Sequence, residues 1–240
     1  MRAIMPNSQP DYELYKTEPY AFSEYLVGPD NPTRYGEGAF TWITGIMLLG
    51  MVFYMMDKYA MTPTGEVGAA QWGCFAFLFI APFIYDVLAK TVLKDPTIAF
   101  WGGWILITLV YWAFHHVGQM AARGPAIHVG AMLGTIMAFN VWFRIWPNQQ
   151  TILNGMVNGE AVDASVPALA GLRSKHNTFM SVPLVFTMLS AHNTFAAPGE
   201  IGKFATSDVY FPVIALVGFL MTYHIYEIGK KVKGFAPKAG

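Results

Sequence analysis

Six stretches of this chain are read as membrane-spanning helices, at roughly 38–56, 70–89, 98–117, 126–146, 177–193 and 208–229. A helix needs about 20 largely apolar residues to cross about 30 Å of hydrocarbon. Inside lipid no water satisfies a backbone N–H or C=O, so an apolar run of that length folds as a helix. The expectation is an all-α integral membrane bundle of about six transmembrane helices. It divides into a polar N-terminal segment (1–37), a transmembrane domain (38–230) and a basic tail (231–240). The fifth run is the weakest, because it is short and holds Pro183 and several hydroxyl residues.

Charge sets the expected orientation. Only 12% of residues are charged and 54% are apolar, where a soluble domain carries about 25% charged residues. If all six runs cross, twelve Lys and Arg lie on one side and three (Lys58, Arg123 and Lys203) on the other. By the positive-inside rule both termini are then cytoplasmic. Without the fifth span the four lysines of the C-terminal end would face outward. Residues 1–37 lack the continuous apolar core of a secretory signal. Lys+Arg and Asp+Glu balance at 15 each, so nothing points to nucleic acid. Cys74 is the single cysteine, which excludes a disulfide framework and covalent haem attachment through CxxCH. Tryptophans 42, 72, 101, 142 and 146 fall near predicted helix ends, as indoles do at the headgroup level.

Polar groups inside a membrane are costly and mark candidate sites. The topology sorts the six histidines into two layers. His115, His116, His128 and His192 fall at the outer side, and His176 and His224 at the inner side. Two histidine layers are what a transmembrane electron carrier with b-type haem needs, and bundle sites are built from facing helices. Histidines at helix ends also serve as polar anchors, and that reading stays open. No pair shows a metal-ligand spacing, so no metal is assigned. Asn140 is expected to hydrogen-bond a neighbouring helix. Asp86 and Arg144 are expected to reach the headgroups. Gly130, Ala131, Gly134 and Ala138 form a small-residue face for close helix approach. Asn148 to Val157 is expected as a short interfacial helix.

The run HVGAMLGTIMAFNVWFRIWPNQ from His128 resembles a signature of the membrane-bound urate oxidase (urate hydroxylase) family, in its N-terminal membrane domain. A second block agrees with it: Gly159 and Glu160, then Arg173, Ser174, His176 and Asn177, then Pro183, then Ser190 and His192. The pair Tyr85 and Asp86, the stretch Tyr25 to Pro29 and the stretch Thr41 to Gly45 are also similar. The resemblance implies a bacterial inner-membrane redox protein. It would pass electrons from a small substrate to a separate cytochrome c or to quinone. Full members carry an additional first span and many end in a cytochrome c domain, and this sequence shows neither. Arg144 replaces an apolar residue of the family pattern. His128 and His192 are the outer candidates for binding haem b, and His176 and His224 the inner ones. Arg173, Asn148, Gln149 and Asn140 are the candidates for a polar mouth. The alternative is a non-catalytic accessory or assembly subunit of a larger respiratory or photosynthetic complex. Its partners would be the lipid bilayer and other membrane subunits.

Overall fold

The computed structural model describes residues 33–120, 123–190 and 208–231. Among them are eight α-helices, two π-helical segments and no strand. Helix α1 (Thr33–Leu49) runs directly into a π segment, Gly50–Met56. Helix α2 (Lys58–Met61) is one turn, capped by Asp57, whose side chain accepts from the Ala60 N–H. Helix α3 is Ala69–Thr91 and α4 is Pro96–His116. Helix α5 (Arg123–Asn140), a π segment (Val141–Ile145) and α6 (Trp146–Asn158) follow one another without a break. Helices α7 (Ser165–Ser190) and α8 (Tyr210–Lys231) complete the set.

Local signals explain several of these ends. At α4, Asp95 accepts from the Thr97 and Ile98 N–H groups, and Pro96 takes a first-turn position where no N–H is needed. At α3, the Gln71 side chain reaches back to the Gly68 N–H at 2.8 Å. Helix α6 stops at Gly159, whose φ of +68° is left-handed and suits glycine.

Four of the described helices are long and apolar enough to cross a membrane: Gly38–Met56, Ala69–Thr91, Pro96–His116 and Arg123–Gly155. The apolar part of α8 is shorter, Phe211–Ile225. Helix α7, at 26 residues, is about 39 Å long. It starts twelve residues before the expected fifth span, because one stripe of its polar first half, Ala170, Arg173 and His176, is buried against the bundle rather than left in a loop. The expected interfacial helix is the continuation α6.

The packing is inverted relative to a soluble protein. On α3, Phe79, Ile80, Phe83, Ile84 and Val87 recur at helical spacing and face outward, exposed. The opposite stripe, Leu78, Ala81, Pro82, Asp86 and Ala89, is buried. Water would not tolerate apolar faces of this extent, and lipid does. The chain is a membrane protein. Its central element is α5, buried along its length from Gly124 to Asn140 against α1, α3, α4 and α7. Side-chain pairs fix the helix directions. Trp42 with Thr135 and Tyr54 with His128 set α1 antiparallel to α5. Phe83 with Phe139 and Asp86 with Arg144 set α3 parallel to α5. Asn140 with Asn177 and Gly130 with Thr187 set α7 antiparallel to it. Polar residues therefore collect at two ends of the bundle, one around Asp86 and one around Asp208.

Gly130 is where α5 and α7 meet most closely. A Cβ added there would collide with the Thr187 hydroxyl. A Gly130→Val variant is expected to lose about 1–3 kcal/mol by overpacking. The check is the thermal midpoint in mild detergent, and an unchanged midpoint would contradict this close approach.

Candidate functional site

The Asp86 end holds a buried polar network built from three helices. Helix α3 supplies Tyr85 and Asp86, the α5–α6 rod supplies Asn140 and Arg144, and α7 supplies Arg173, His176 and Asn177. The π segment Val141–Ile145 carries Arg144. Arg144 binds Asp86 bidentately, Nε donating to Oδ1 at 2.8 Å and Nη2 to Oδ2 at 2.6 Å. Arg173 Nη2 donates to Asp86 Oδ1 at 2.8 Å, and Lys90 Nζ lies 2.7 Å from Oδ2. One carboxylate thus balances three cations. Arg173 is fully buried, and its guanidinium sits 5.2 Å from the centroid of the Tyr85 ring. Its Nε and Nη1 have no partner among the described residues.

Tyr85 links this charge cluster to a histidine. Asn140 Nδ2 donates to the Tyr85 oxygen at 3.2 Å and to Asn177 Oδ1 at 2.8 Å. The Tyr85 oxygen is 2.8 Å from His176 Nδ1. With Asn140 donating to the phenol oxygen, the phenol proton is free to go to His176 Nδ1. His176 is buried; its Nε2 makes no well-aligned hydrogen bond among the described residues, although the Leu93 backbone lies close enough to act on the ring. Tyr85 and His176 line a cavity of about 640 Å³ between α3, α4, α5, α7 and α8. Its other walls are apolar, including Phe100, Trp101, Met132, Phe179 and Tyr223, with Lys175 at the lining. That volume is of the size that small-molecule pockets take, about 300–1,000 Å³.

At the Asp208 end, His128 is fully buried. Its Nδ1 is 2.7 Å from the Gly124 carbonyl, which only accepts, so Nδ1 carries a proton. Its Nε2 is 2.8 Å from the Tyr54 hydroxyl, which is also 2.9 Å from the Gln71 carbonyl. A neutral imidazole and a phenol hold two protons for these three contacts. A proton added at Nε2 would turn the phenol to Gln71 and satisfy all three. Tyr54 lies on the π segment Gly50–Met56. Nearer the bundle's edge, His115 Nδ1 and His116 Nε2 each lie 2.9 Å from Asp208 Oδ1. Partial burial pushes the Asp208 carboxyl up, but hydrogen bonds from His115 and His116 outweigh it and hold the group below its ordinary range.

The structure gathers the expected residues unevenly. Arg173, His176 and Asn140 come together around Tyr85. Asn148 instead donates to the Arg144 carbonyl one turn back on its own helix, and Gln149 is exposed. His128 has both ring nitrogens engaged by protein. His224 is exposed on α8, away from the cavity lining. His192 lies outside the described residues. Asp86 and Arg144, expected at the headgroups, pair with each other instead. Tyr54 and Asp208 carry no signal in the run of the sequence, and Asn177 is marked only as part of the family motif. Tyr54 sits inside an apolar run, and Asp208 gains its partners only once α8 is laid against α4.

The family model described as "Urate oxidase N-terminal" matches residues 15–231. No curated protein matches the chain, and no solved structure does.

Proposed function

The chain belongs to the urate oxidase N-terminal family, and on that premise we propose that it is a membrane redox protein oxidising a small anionic substrate of the urate type. One observation carries this reading. Asp86 offsets three cations, and the buried Arg173, one layer behind the lining, lies against the ring of Tyr85, which walls a cavity together with His176 and Lys175. Excess positive charge in a low-dielectric site favours an anion. The apolar walls suit a flat heterocycle. A substrate losing electrons also loses protons, and the Tyr85–His176 pair is placed to take one. The electrons pass to a separate cytochrome c or to quinone.

Haem b belongs to the same proposal. Of the three described histidines considered as ligands (His128, His176 and His224), His176 is the one that lines a cavity. A haem there would supply one-electron transfer; to hold it through Nε2, His176 would carry its proton on Nδ1 and donate it to the Tyr85 oxygen, the reverse of the direction without haem. In a bacterial inner membrane all six helices would span, with both termini and the Asp86 end cytoplasmic, as the Lys and Arg distribution requires.

The test uses the protein purified in mild detergent. Urate should reduce added cytochrome c or a soluble quinone in its presence. A reduced-minus-oxidised spectrum with pyridine haemochrome quantitation should show b-type haem. If urate neither binds nor drives reduction and no haem is present in a well-folded preparation, the oxidase reading fails. The chain is then an accessory subunit of a larger membrane complex, and its co-purifying partners become the question.

A further inference from the structure

We propose that His115, His116 and Asp208 form a site for one divalent first-row transition metal ion, with zinc or ferrous iron the ions its donors suit. The proposal does not depend on the oxidase reading, since these residues lie at the opposite end of the bundle from Asp86.

Two imidazoles and one carboxylate offer ligand atoms that all lie within 4.8 Å of one another. His115 Nδ1 is 2.9 Å from Asp208 Oδ1, and His116 Nε2 is 2.9 Å from Oδ1 and 3.0 Å from Oδ2. Ligands about 2.0–2.2 Å from a common metal ion stand roughly 3–3.5 Å apart, so small rotations of the side chains admit the ion. Binding would present a lone pair at His115 Nδ1 and at His116 Nε2, with each ring's proton on its other nitrogen.

The three residues do not meet by a chance of flexible surface side chains. His115 and His116 end α4, and Asp208 directly precedes α8. The seam between those helices is locked close by. Tyr111 and Phe211 stack with centroids 4.4 Å apart and planes 6° apart. Further along, Trp104 Nε1 donates to the Pro212 carbonyl at 2.9 Å. Both histidines also line a polar cavity of about 800 Å³ with Lys58, Glu66, Gln71 and Gln119. Three protein ligands, two of them (His115 and His116) facing an open, polar cavity, leave coordination positions for water or an exogenous ligand. That is the pattern of reactive rather than structural metal sites.

The experiment uses the full chain in detergent, stripped with chelator and titrated with Zn²⁺ calorimetrically and with Co²⁺ by visible absorption. One ion per chain is expected. Asp208→Asn and His116→Ala should weaken Zn²⁺ by at least about 100-fold, beyond the 10–100-fold typical of losing an outer-shell partner, while His224→Ala binds as the parent does. His115→Cys keeps a ligand at that position and should add a thiolate-to-cobalt charge-transfer band. That band is a gain of signal that a misfolded protein does not give. Substoichiometric Zn²⁺ binding, or a Co²⁺ spectrum that is the same in the parent, Asp208→Asn and His115→Cys, would overturn the site.

Discussion

Replacing Asp86 by Asn is expected to destabilise the protein by about 3–5 kcal/mol, the usual consequence of breaking a buried ion pair from one side. The loss does not fall equally on the three cations. The Lys90 and Arg144 side chains are 50% and 29% exposed and can turn to headgroups or water. Arg173 is 0% exposed and has nowhere to turn. Its charge, already unpartnered at Nε and Nη1, would lose its counter-ion altogether. Two controls separate this account from a general packing defect. Lys90→Ala, at the exposed end of the cluster, should cost about 0–1 kcal/mol. Arg173→Met in the Asp86→Asn background should recover part of the loss, giving a coupling within about 0.5–3 kcal/mol. Thermal and denaturant unfolding in detergent reads these three variants and the Arg173→Met single variant that the coupling requires. Wild-type stability in Asp86→Asn alone would mean that Arg173 is not held by this carboxylate.

The same cluster shows where sequence reasoning reaches and where it stops. Membrane character was legible because it depends on run length and composition, and α1, α3, α4 and the α5–α6 rod follow from them. The family was legible from the residues around His128 and Arg173. Asn140 was correctly read as bridging helices. Asp86 and Arg144 were misread because position along a helix gives depth but not direction around the axis. A residue one turn from the helix end reaches headgroups or a neighbouring helix depending on which way it faces. The π segments make that direction harder to read, since each shifts the angular register of the residues beyond it. Tyr54 and Arg144 both sit on such segments, and both enter buried networks. The start of α7 was missed for a related reason. Arg173, Lys175, His176 and Asn177 look like a loop by hydropathy, but three of the four point inward to partners on α3 and α5.

The histidine assignments divide in the same way, and they lead to the second large effect. His176→Ala is expected to lower urate-driven electron transfer by about 10²–10⁴-fold, the range for removing a positioned proton acceptor. His224→Ala, exposed on α8, is expected to leave it unchanged. The chain Asn140–Tyr85–His176 gives a finer test, because each member does a different thing. Tyr85→Phe keeps the ring that walls the cavity and deletes the oxygen joining Asn140 to His176. It should lower kcat with little change in KM. Arg173→Lys keeps the charge but loses the planar fork that lies against the Tyr85 ring; acting through Tyr85 and not from the cavity lining, it should lower kcat more than it raises KM. If haem is bound at His176, His176→Ala should also abolish the b-type spectrum, whereas Tyr85→Phe should only alter its potential. Loss of activity with the haem retained would make His176 a proton acceptor and not a ligand. Equal activity in His176→Ala and the parent would remove the cavity from the reaction and return attention to the Tyr54–His128 pair. There a phenol and an imidazole stand in the same relation at the opposite end of the bundle.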